Sequence, residues 1–230
     1  MHKIKQLWLA LTCFERALWL ASIIVVSLSY LLSPQGNWLT LAASLIGVTA
    51  LIFVAKGYVV GQILCIVFAV FYGLISLHFR YYGEVITYLC MSAPIAVVST
   101  ISWLRHPYRK TAEVEVQRLS KKKVVLLACA TVGVTVAFYF VLKAMGTANL
   151  GWSTISIATS FFAASLTAMR SPYYALAYIA NDLILIVMWL LAAMADISYL
   201  PMIFCFVMFM ANDLYGFLNW RRMRQRQERE

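Results

Sequence analysis

Asn181 and Asp182 stand side by side within YIANDLILIVMW, an apolar segment that covers residues 178–189. An asparagine amide donates and accepts hydrogen bonds, and a carboxylate can bind hydroxyl groups, balance a cation or carry a proton. Within lipid such groups are costly, and they usually face the interior of a helix bundle or an aqueous cavity. The pair is therefore the first candidate for a binding site.

Polar and aromatic residues recur along one face of the helix that this segment would form. The stripe consists of Tyr174, Tyr178, Asn181, Asp182, Leu185 and Trp189. Residues 58–77 carry a similar stripe at spacings of three and four, made of Tyr58, Gln62, Cys65, Ala69, Tyr72 and Ser76. Rings can stack on the faces of a flat heteroaromatic solute while amides bond its edges. The alternative interpretation is that Asn181 and Gln62 only hold neighbouring helices together.

Two further positions have a structural interpretation as well as a functional one. Asn212 and Asp213 repeat the ANDL tetrapeptide, but they lie nearer the basic RRMR segment, where we expect the carboxylate to pair with arginine. Trp152 opens another apolar segment, with Ser156 and Thr159 on its face. It is either an interfacial anchor, as tryptophans at such positions often are, or the outer lid of a pocket.

The composition places these stripes in a membrane. The chain is 63% hydrophobic and 12% charged, whereas an average globular domain has about a quarter charged residues. Apolar stretches repeatedly reach the roughly 20 residues needed to cross the hydrocarbon layer. Eight candidate spans result, at residues 17–32, 37–55, 58–77, 84–103, 123–145, 150–168, 174–193 and 197–219. Residues 1–16 are predicted to be a retained interfacial segment, amphipathic through Ile4, Leu7, Trp8 and Leu11.

The basic residues predict the orientation of the spans. With an inside N-terminus, every Lys and Arg except Arg80 and Lys143 falls in a segment that eight spans place on the cytoplasmic side. Both termini are then cytoplasmic. The net charge of +10 is spread along membrane edges, which favours contact with anionic lipid headgroups over binding of nucleic acid.

Cysteine and histidine usage argues against other kinds of site. The five cysteines are odd in number and far apart, which predicts no disulfide framework. The three histidines are isolated, and the spacing of ligands needed for zinc is absent from the sequence. We therefore expect no metal, no cofactor and no catalytic residue set, although a membrane-embedded enzyme and a structural assembly protein are kept as alternatives.

The two halves of the chain resemble copies of each other. Tyr82 to Trp103 and Tyr199 to Trp220 have the same separation, and each Trp precedes a basic cluster. The predicted fold is an all-α membrane protein with eight transmembrane helices: one N-terminal helix and a 3+1+3 bundle of parallel repeats. The predicted divisions are 1–36 (N-terminal segment and helix), 37–103 (first repeat), 104–149 (basic loop and linker helix), 150–220 (second repeat) and 221–230 (basic tail).

Three blocks carry a resemblance to a known family: SWLRHPYRKTAEVEVQRLS (102–120), SPYYALAYIANDLILIVMW (171–189) and YGFLNWRRM (215–223). From about residue 37 onward the chain resembles the PnuC family of bacterial vitamin transporters, most closely the nicotinamide riboside branch. The family's Trp-x-x-Trp-x-x-x-Asn pattern falls here on Tyr174, Ala177 and Asn181, so the Asn is kept and both Trp positions are changed.

The resemblance implies facilitated diffusion of an unphosphorylated vitamin, trapped by a cytoplasmic kinase. Nicotinamide riboside is the expected substrate, with thiamine, riboflavin and proton coupling through Asp182 as alternatives. Asn181, Asp182 and Gln62 would bond the substrate, and Tyr174, Tyr178, Tyr72 and Trp189 would supply stacking or cation–π contact, with Trp152 nearby. Assembly into a homo-oligomer is compatible with this interpretation.

Overall fold

The structure is a computed structural model that describes residues 8–33, 38–78, 85–109, 111–147 and 149–230, without the side chains of residues 75, 76 and 78. The described chain is helical apart from its turns and two isolated bridges. The helices are α1 (Cys13–Leu31), α2 (Trp38–Ala55), α3 (Val59–His78), α4 (Ala93–Arg105), α5 (Lys121–Ala144), α6 (Leu150–Ala168), α7 (Tyr174–Ala195) and α8 (Leu200–Arg229). A π-helical segment, Ile86–Ser92, leads directly into α4. Sequence expectations on residues 1–7 and 34–37, on Arg80, Tyr82 and residue 84, and on the side chain of Ser76 lie outside the described residues.

Six helical segments are long and apolar enough to cross a membrane. They are α1, α2, α5 and α7, together with the continuous segments Ile86–Arg105 and Ile197–Arg229. Helix α3 contains a shorter apolar stretch, Val59–Leu74. The all-α membrane fold expected from the sequence is thus present in its coarse form.

A capping box explains where α1 begins. Thr12 and Glu15 form a capping box at the start of α1, because Glu15 N donates to Thr12 Oγ1 at 3.2 Å and Thr12 N donates to Glu15 Oε2 at 2.6 Å. Helix α1 thus begins at Cys13, four residues before the predicted start of the first span. At the other end of the chain α8 continues to Arg229, well beyond the predicted limit of the last span.

The outer surface is apolar, as lipid contact requires. Residues such as Leu31, Leu126, Val132, Phe140 and Met194 are exposed, and single domains in water rarely expose so much contiguous apolar surface. Helix α5 packs on α6, and α1 packs on α2 and α8. Helices α1 and α5 therefore lie at the periphery, and the remaining six helices enclose the centre.

Two tryptophans cross-link the bundle near its basic end. Trp103 Nε1 on α4 donates to the Thr167 carbonyl of α6 at 2.9 Å, and Trp220 Nε1 on α8 donates to the Val54 carbonyl of α2, also at 2.9 Å. Both indoles are completely buried, and their centroids are 5.3 Å apart. Each bond joins a helix of one half to a helix of the other.

The turns that follow α2 and α6 also match. Gly57 and Arg170 both have positive φ, at 73° and 57°, and their N–H groups donate to the Val54 and Thr167 carbonyls. Glycine adopts this conformation without strain, whereas arginine does so at a cost. Burial lowers the pKa of Arg170, and its ion pair with Glu115 partly offsets that effect.

The loop between α4 and α5 ties these turns together. We call its described residues 106–109 and 111–120 the connecting loop. Val114 N donates to the Gly57 carbonyl and Gln117 N to the Arg170 carbonyl, each at 2.9 Å. Its acidic and basic side chains pair with the end of α8 as Arg109–Glu230, Glu113–Arg226 and Arg118–Glu228. Arg109, Arg118 and Arg226 are thus held in ion pairs between the connecting loop and the end of the chain.

A second network fixes α1 to the bundle. Lys56 Nζ lies 2.9 Å from Glu15 Oε2, and the Tyr215 hydroxyl donates to Glu15 Oε1 at 2.7 Å. The Glu15 side chain is 1% exposed and the Lys56 side chain 12% exposed. Sequence reasoning missed this contact because it took Glu15 for the polar end of a surface segment.

Candidate functional site

A cavity of about 160 Å³ lies at the centre of the six inner helices. Its wall contains residues from α2, α3, the π-helical segment with α4, α6, α7 and α8. The wall is mostly apolar, with a small number of polar side chains, which is the usual composition of a small-molecule site. The polar members with ionisable or amide groups are Gln62, Cys65, Tyr88, Tyr178, Asn181, Asp182 and Asp213.

Four of the predicted site residues line this cavity: Gln62, Tyr178, Asn181 and Asp182. Gln62 comes from α3 and the other three from α7, so the two predicted stripes face each other across the same space. Asn181 Oδ1 accepts from Thr159 at 3.0 Å and from Ser156 at 3.3 Å, both on α6. Its amide nitrogen takes part in none of the hydrogen bonds found among the described residues, so the oxygen joins helices and the nitrogen is available to a ligand.

The other four predicted site residues lie outside the wall. Tyr174 is 1% exposed and packs against Trp220 with ring centroids 5.0 Å apart, because it lies one turn nearer the basic end than Tyr178. Trp189 packs against Tyr199 at 5.6 Å, and Trp152 is 40% exposed at the start of α6, as an interfacial anchor would be. Tyr72 packs against the wall residue Tyr88, with ring centroids 4.5 Å apart and the rings tilted by 48°.

Sequence reasoning also missed several wall residues. Phe68, Tyr88, Phe206 and Phe209 supply most of the aromatic surface. On α8 the spacing of Phe206, Phe209 and Asp213 is three and four, so a stripe analysis of the last span would have found them. The expected pairing of Asp213 with arginine is wrong: the side chain is 3% exposed, lines the cavity and forms none of the ion pairs found in the described part of the chain.

The ionisable groups of the wall include acidic side chains but no basic ones, as far as the wall is formed by the described residues. Asp182 and Asp213 come from neighbouring helices, both side chains are 3% exposed, and both line the cavity. Since field lines are focused in a low-dielectric cavity, the site favours a neutral or cationic molecule and disfavours an anion.

Helices of membrane length around a central, largely apolar cavity define a polytopic carrier of a small molecule. The sequence profile of the family described as nicotinamide mononucleotide transporter matches residues 37–222. The chain therefore belongs to this family, and the enzyme alternative is set aside.

Relatives agree with this assignment. The nicotinamide riboside transporter PnuC of Neisseria mucosa is 24% identical over 227 residues, which cover 96% of this chain and 86% of that protein. The PnuC of Haemophilus influenzae, also named a nicotinamide riboside transporter, is 23% identical over 90% of each chain. A crystal structure of the vitamin B3 transporter PnuC superposes with a TM-score of 0.80 over 95% of this chain and 94% of that one, at 24% identity. The resemblance to PnuC is confirmed, and the chain is a multi-pass transporter of the bacterial inner membrane.

Proposed function

We propose that this chain takes up nicotinamide riboside by facilitated diffusion, with the central cavity as its binding site. The observation that carries the proposal is the arrangement of Gln62, Asn181 and Asp182 around a central cavity that several aromatic side chains also line. The relatives named as nicotinamide riboside transporters give the substrate its identity. A cytoplasmic kinase would trap the product.

Each polar wall residue has a role that fits the riboside. The Asn181 nitrogen and the Gln62 amide bond the carboxamide or the ribose. Asp182 bonds hydroxyl groups or balances the positive charge of the pyridinium ring. Tyr178 and the phenylalanines of the wall stack on that ring.

The wall favours the riboside over the mononucleotide in the family description. A phosphate carries about 1.5 to 2 negative charges near neutral pH and is normally bound by Arg, Lys or backbone N–H groups. Here the described wall offers two carboxyl groups and no basic side chain. The unphosphorylated molecule is therefore the substrate.

We further propose that residues 37–103 and 150–220 are parallel repeats, with α1 outside them and α5 as the linker within 104–149. The proposal is supported by the reciprocal bonds of Trp103 and Trp220, and by the matching turns at Gly57 and Arg170. The cavity wall supports the proposal too, because eight positions of the first half and the eight equivalent positions of the second half all line it. The pairs of equivalent residues are Gly47 and Ser160, Leu51 and Ala164, Val54 and Thr167, Gln62 and Tyr178, Cys65 and Asn181, Ala69 and Leu185, Ser92 and Phe209, and Ala96 and Asp213. Alternating access would then arise from rocking of one repeat against the other.

Eight spans with both termini in the cytoplasm complete the proposed topology, and the connecting loop lies on the same side. A single cysteine placed at Ser120 in a cysteine-free background tests it. A thiol reagent that cannot cross the membrane should leave this cysteine unmodified in intact cells and modify it after permeabilisation. Modification in intact cells would overturn the orientation.

Uptake into liposomes tests the function. Vesicles that contain the purified protein, a riboside kinase and ATP should accumulate label from nicotinamide riboside without a sodium or proton gradient. If label from thiamine or riboflavin is retained with the matching kinase, and label from nicotinamide riboside is not, then that vitamin is the substrate instead. Uptake that requires a proton gradient in the parent but not in Asp182→Asn would replace facilitated diffusion by proton coupling.

A further inference from the structure

We propose that Asp182 and Asp213 act as one carboxyl pair that recognises the positive charge on the substrate ring, so that the site selects cationic heterocycles over neutral molecules of the same shape. This inference rests on the proposed function and adds Asp213 as a specificity-determining residue. It goes further than exclusion of phosphate, because a neutral ligand is also disfavoured.

The geometry of the pair is the first support. Asp182 lies on α7 and Asp213 on α8, two helices that pack against each other, and both side chains are 3% exposed. Two ionised carboxylates that line one cavity repel each other strongly in a low-dielectric medium unless a proton or another cation lies between or beside them. A pair built this way therefore gains most from a ligand that brings positive charge.

Unsatisfied polar groups around the pair point to a missing ligand. Asp182 Oδ2 is buried and has no hydrogen-bond partner among the described residues. The Gln62 amide, on the opposite wall and 3% exposed, takes part in none of the hydrogen bonds found between described residues. Buried polar groups are nearly always paired, so two such groups facing one cavity indicate that the cavity is built for a molecule that bonds both.

The side chains nearest the pair leave its charge uncompensated. Among the described residues, the other titratable groups that interact with the two aspartates are Tyr174 and Tyr178 on α7, Cys65 on α3 and Cys205 on α8. None of these side chains is cationic at neutral pH. The positive charge that neutralises the pair must therefore come from outside the wall.

The matching positions of the two halves show that the charge is confined to one side of the cavity. Asp213 corresponds to Ala96 of α4, and Asn181 corresponds to Cys65 of α3. A cationic ring would be drawn towards α7 and α8, while its uncharged substituents extend towards Gln62. An organic cation also fits better than a metal ion, because the described residues contain no group of three or more His, Cys, Asp or Glu side chains that could hold one.

The test compares two ligands that differ in ring charge. Nicotinamide riboside has a cationic pyridinium ring, whereas its 1,4-dihydro form has the same carboxamide and ribose on a neutral ring. We expect the purified protein to bind the cationic form at least about tenfold more tightly in calorimetry, because charge-assisted hydrogen bonds and ion pairs are lost with the neutral form. Asp213→Asn keeps the shape of the side chain and should reduce this preference to roughly threefold or less.

Ser92→Ala is the matched control, since Ser92 lines the same cavity without charge. It should leave the ratio of the two affinities unchanged, whatever it does to each. Melting temperatures of all variants, measured without ligand, separate loss of fold from loss of charge recognition. An unstable Asp213→Asn protein is replaced by Asp213→Ser, for which the same fall in ratio is expected.

The outcomes separate this inference from the function on which it rests. Failure of the parent protein to bind either riboside form would overturn the proposed function. Equal binding of both forms by the parent, or an unchanged preference in the Asp213 variants, would overturn the carboxyl-pair inference alone. Binding of the riboside that depends on sodium would also overturn it, because the pair would then hold an inorganic ion.

Discussion

The central cavity and the basic end of the bundle differ in how their polar groups are paired. At the basic end, the Trp103 and Trp220 indoles and the Glu15 carboxylate have partners, whereas the buried atoms Arg170 Nε and Arg224 Nε have none among the described residues. In the cavity, Asp182 Oδ2 and the Gln62 amide have none among the described residues. Since an unpaired buried polar group costs roughly 1–3 kcal/mol, the contrast assigns stability to the basic end and ligand binding to the cavity.

This contrast separates two effects of mutation that are easily confused in a transporter. A change at the basic end should lower the melting temperature and leave the affinity of the folded protein intact. A change in the cavity should do the reverse. The following variants test that separation, from the largest expected effect to the smallest.

Glu15→Gln should give the largest loss of stability. It leaves the mostly buried Lys56 ammonium without its carboxylate, and breaking a buried pair from one side costs about 3 kcal/mol or more. The check is a thermal melt in detergent together with riboside binding to the folded fraction. Glu15→Gln combined with Lys56→Met removes the stranded charge and should recover part of the loss. A stable single variant with weak binding would break the comparison.

Asn181→Leu should give the largest loss of affinity, at least about tenfold, because a hydrogen bond to a desolvated ligand is worth roughly 1–3 kcal/mol. Its melting temperature should stay near that of the parent, since interhelical polar contacts in membranes average only about 0.6 kcal/mol. Thr159→Val is the matched control, because it removes the interhelical bond to Asn181 from a residue outside the wall. If the control weakens binding as much as Asn181→Leu does, Asn181 acts only by holding α6 and α7 together.

Trp103→Phe and Trp220→Phe sharpen the comparison between the two halves. Each change removes one indole N–H bond to a carbonyl that also accepts from the following turn, so each should cost about 1 kcal/mol and the two costs should be similar. Denaturant or thermal unfolding measures both. Costs that differ severalfold would argue against equivalent roles in two repeats.

Arg118→Ala should have the smallest effect. The ion pair with Glu228 is short, at 2.8 Å, but the Arg118 side chain is 76% exposed, and exposed ion pairs contribute little to stability because water and salt screen them. The hydrogen bond to Glu228 raises the pKa of Arg118, so the guanidinium stays charged at any working pH. Stability in low and high salt provides the check, and the small difference between parent and variant should shrink as salt screens the pair.

The sequence predicted the membrane fold, the two facing stripes and half of the proposed site. Gln62, Tyr178, Asn181 and Asp182 were found because helical periodicity fixes which residues share a face. Tyr174 and Trp189 share that face with Asn181, but periodicity does not say how far along the helix a cavity extends. Asp213 was misjudged because closeness to a basic segment in sequence is a poor guide to depth, since α8 continues as a helix through that segment. The Glu15–Lys56 pair joins residues far apart in sequence, which local patterns do not reveal.

The central claim is that the cavity between the six inner helices binds the riboside, and a structure of the protein with nicotinamide riboside bound tests it most directly. We predict the ring inside the cavity, with its charged nitrogen nearest Asp182 and Asp213 and its polar substituents within hydrogen-bonding distance of Asn181 or Gln62. A riboside bound elsewhere on the protein, with these side chains unchanged and the cavity empty, would contradict the account.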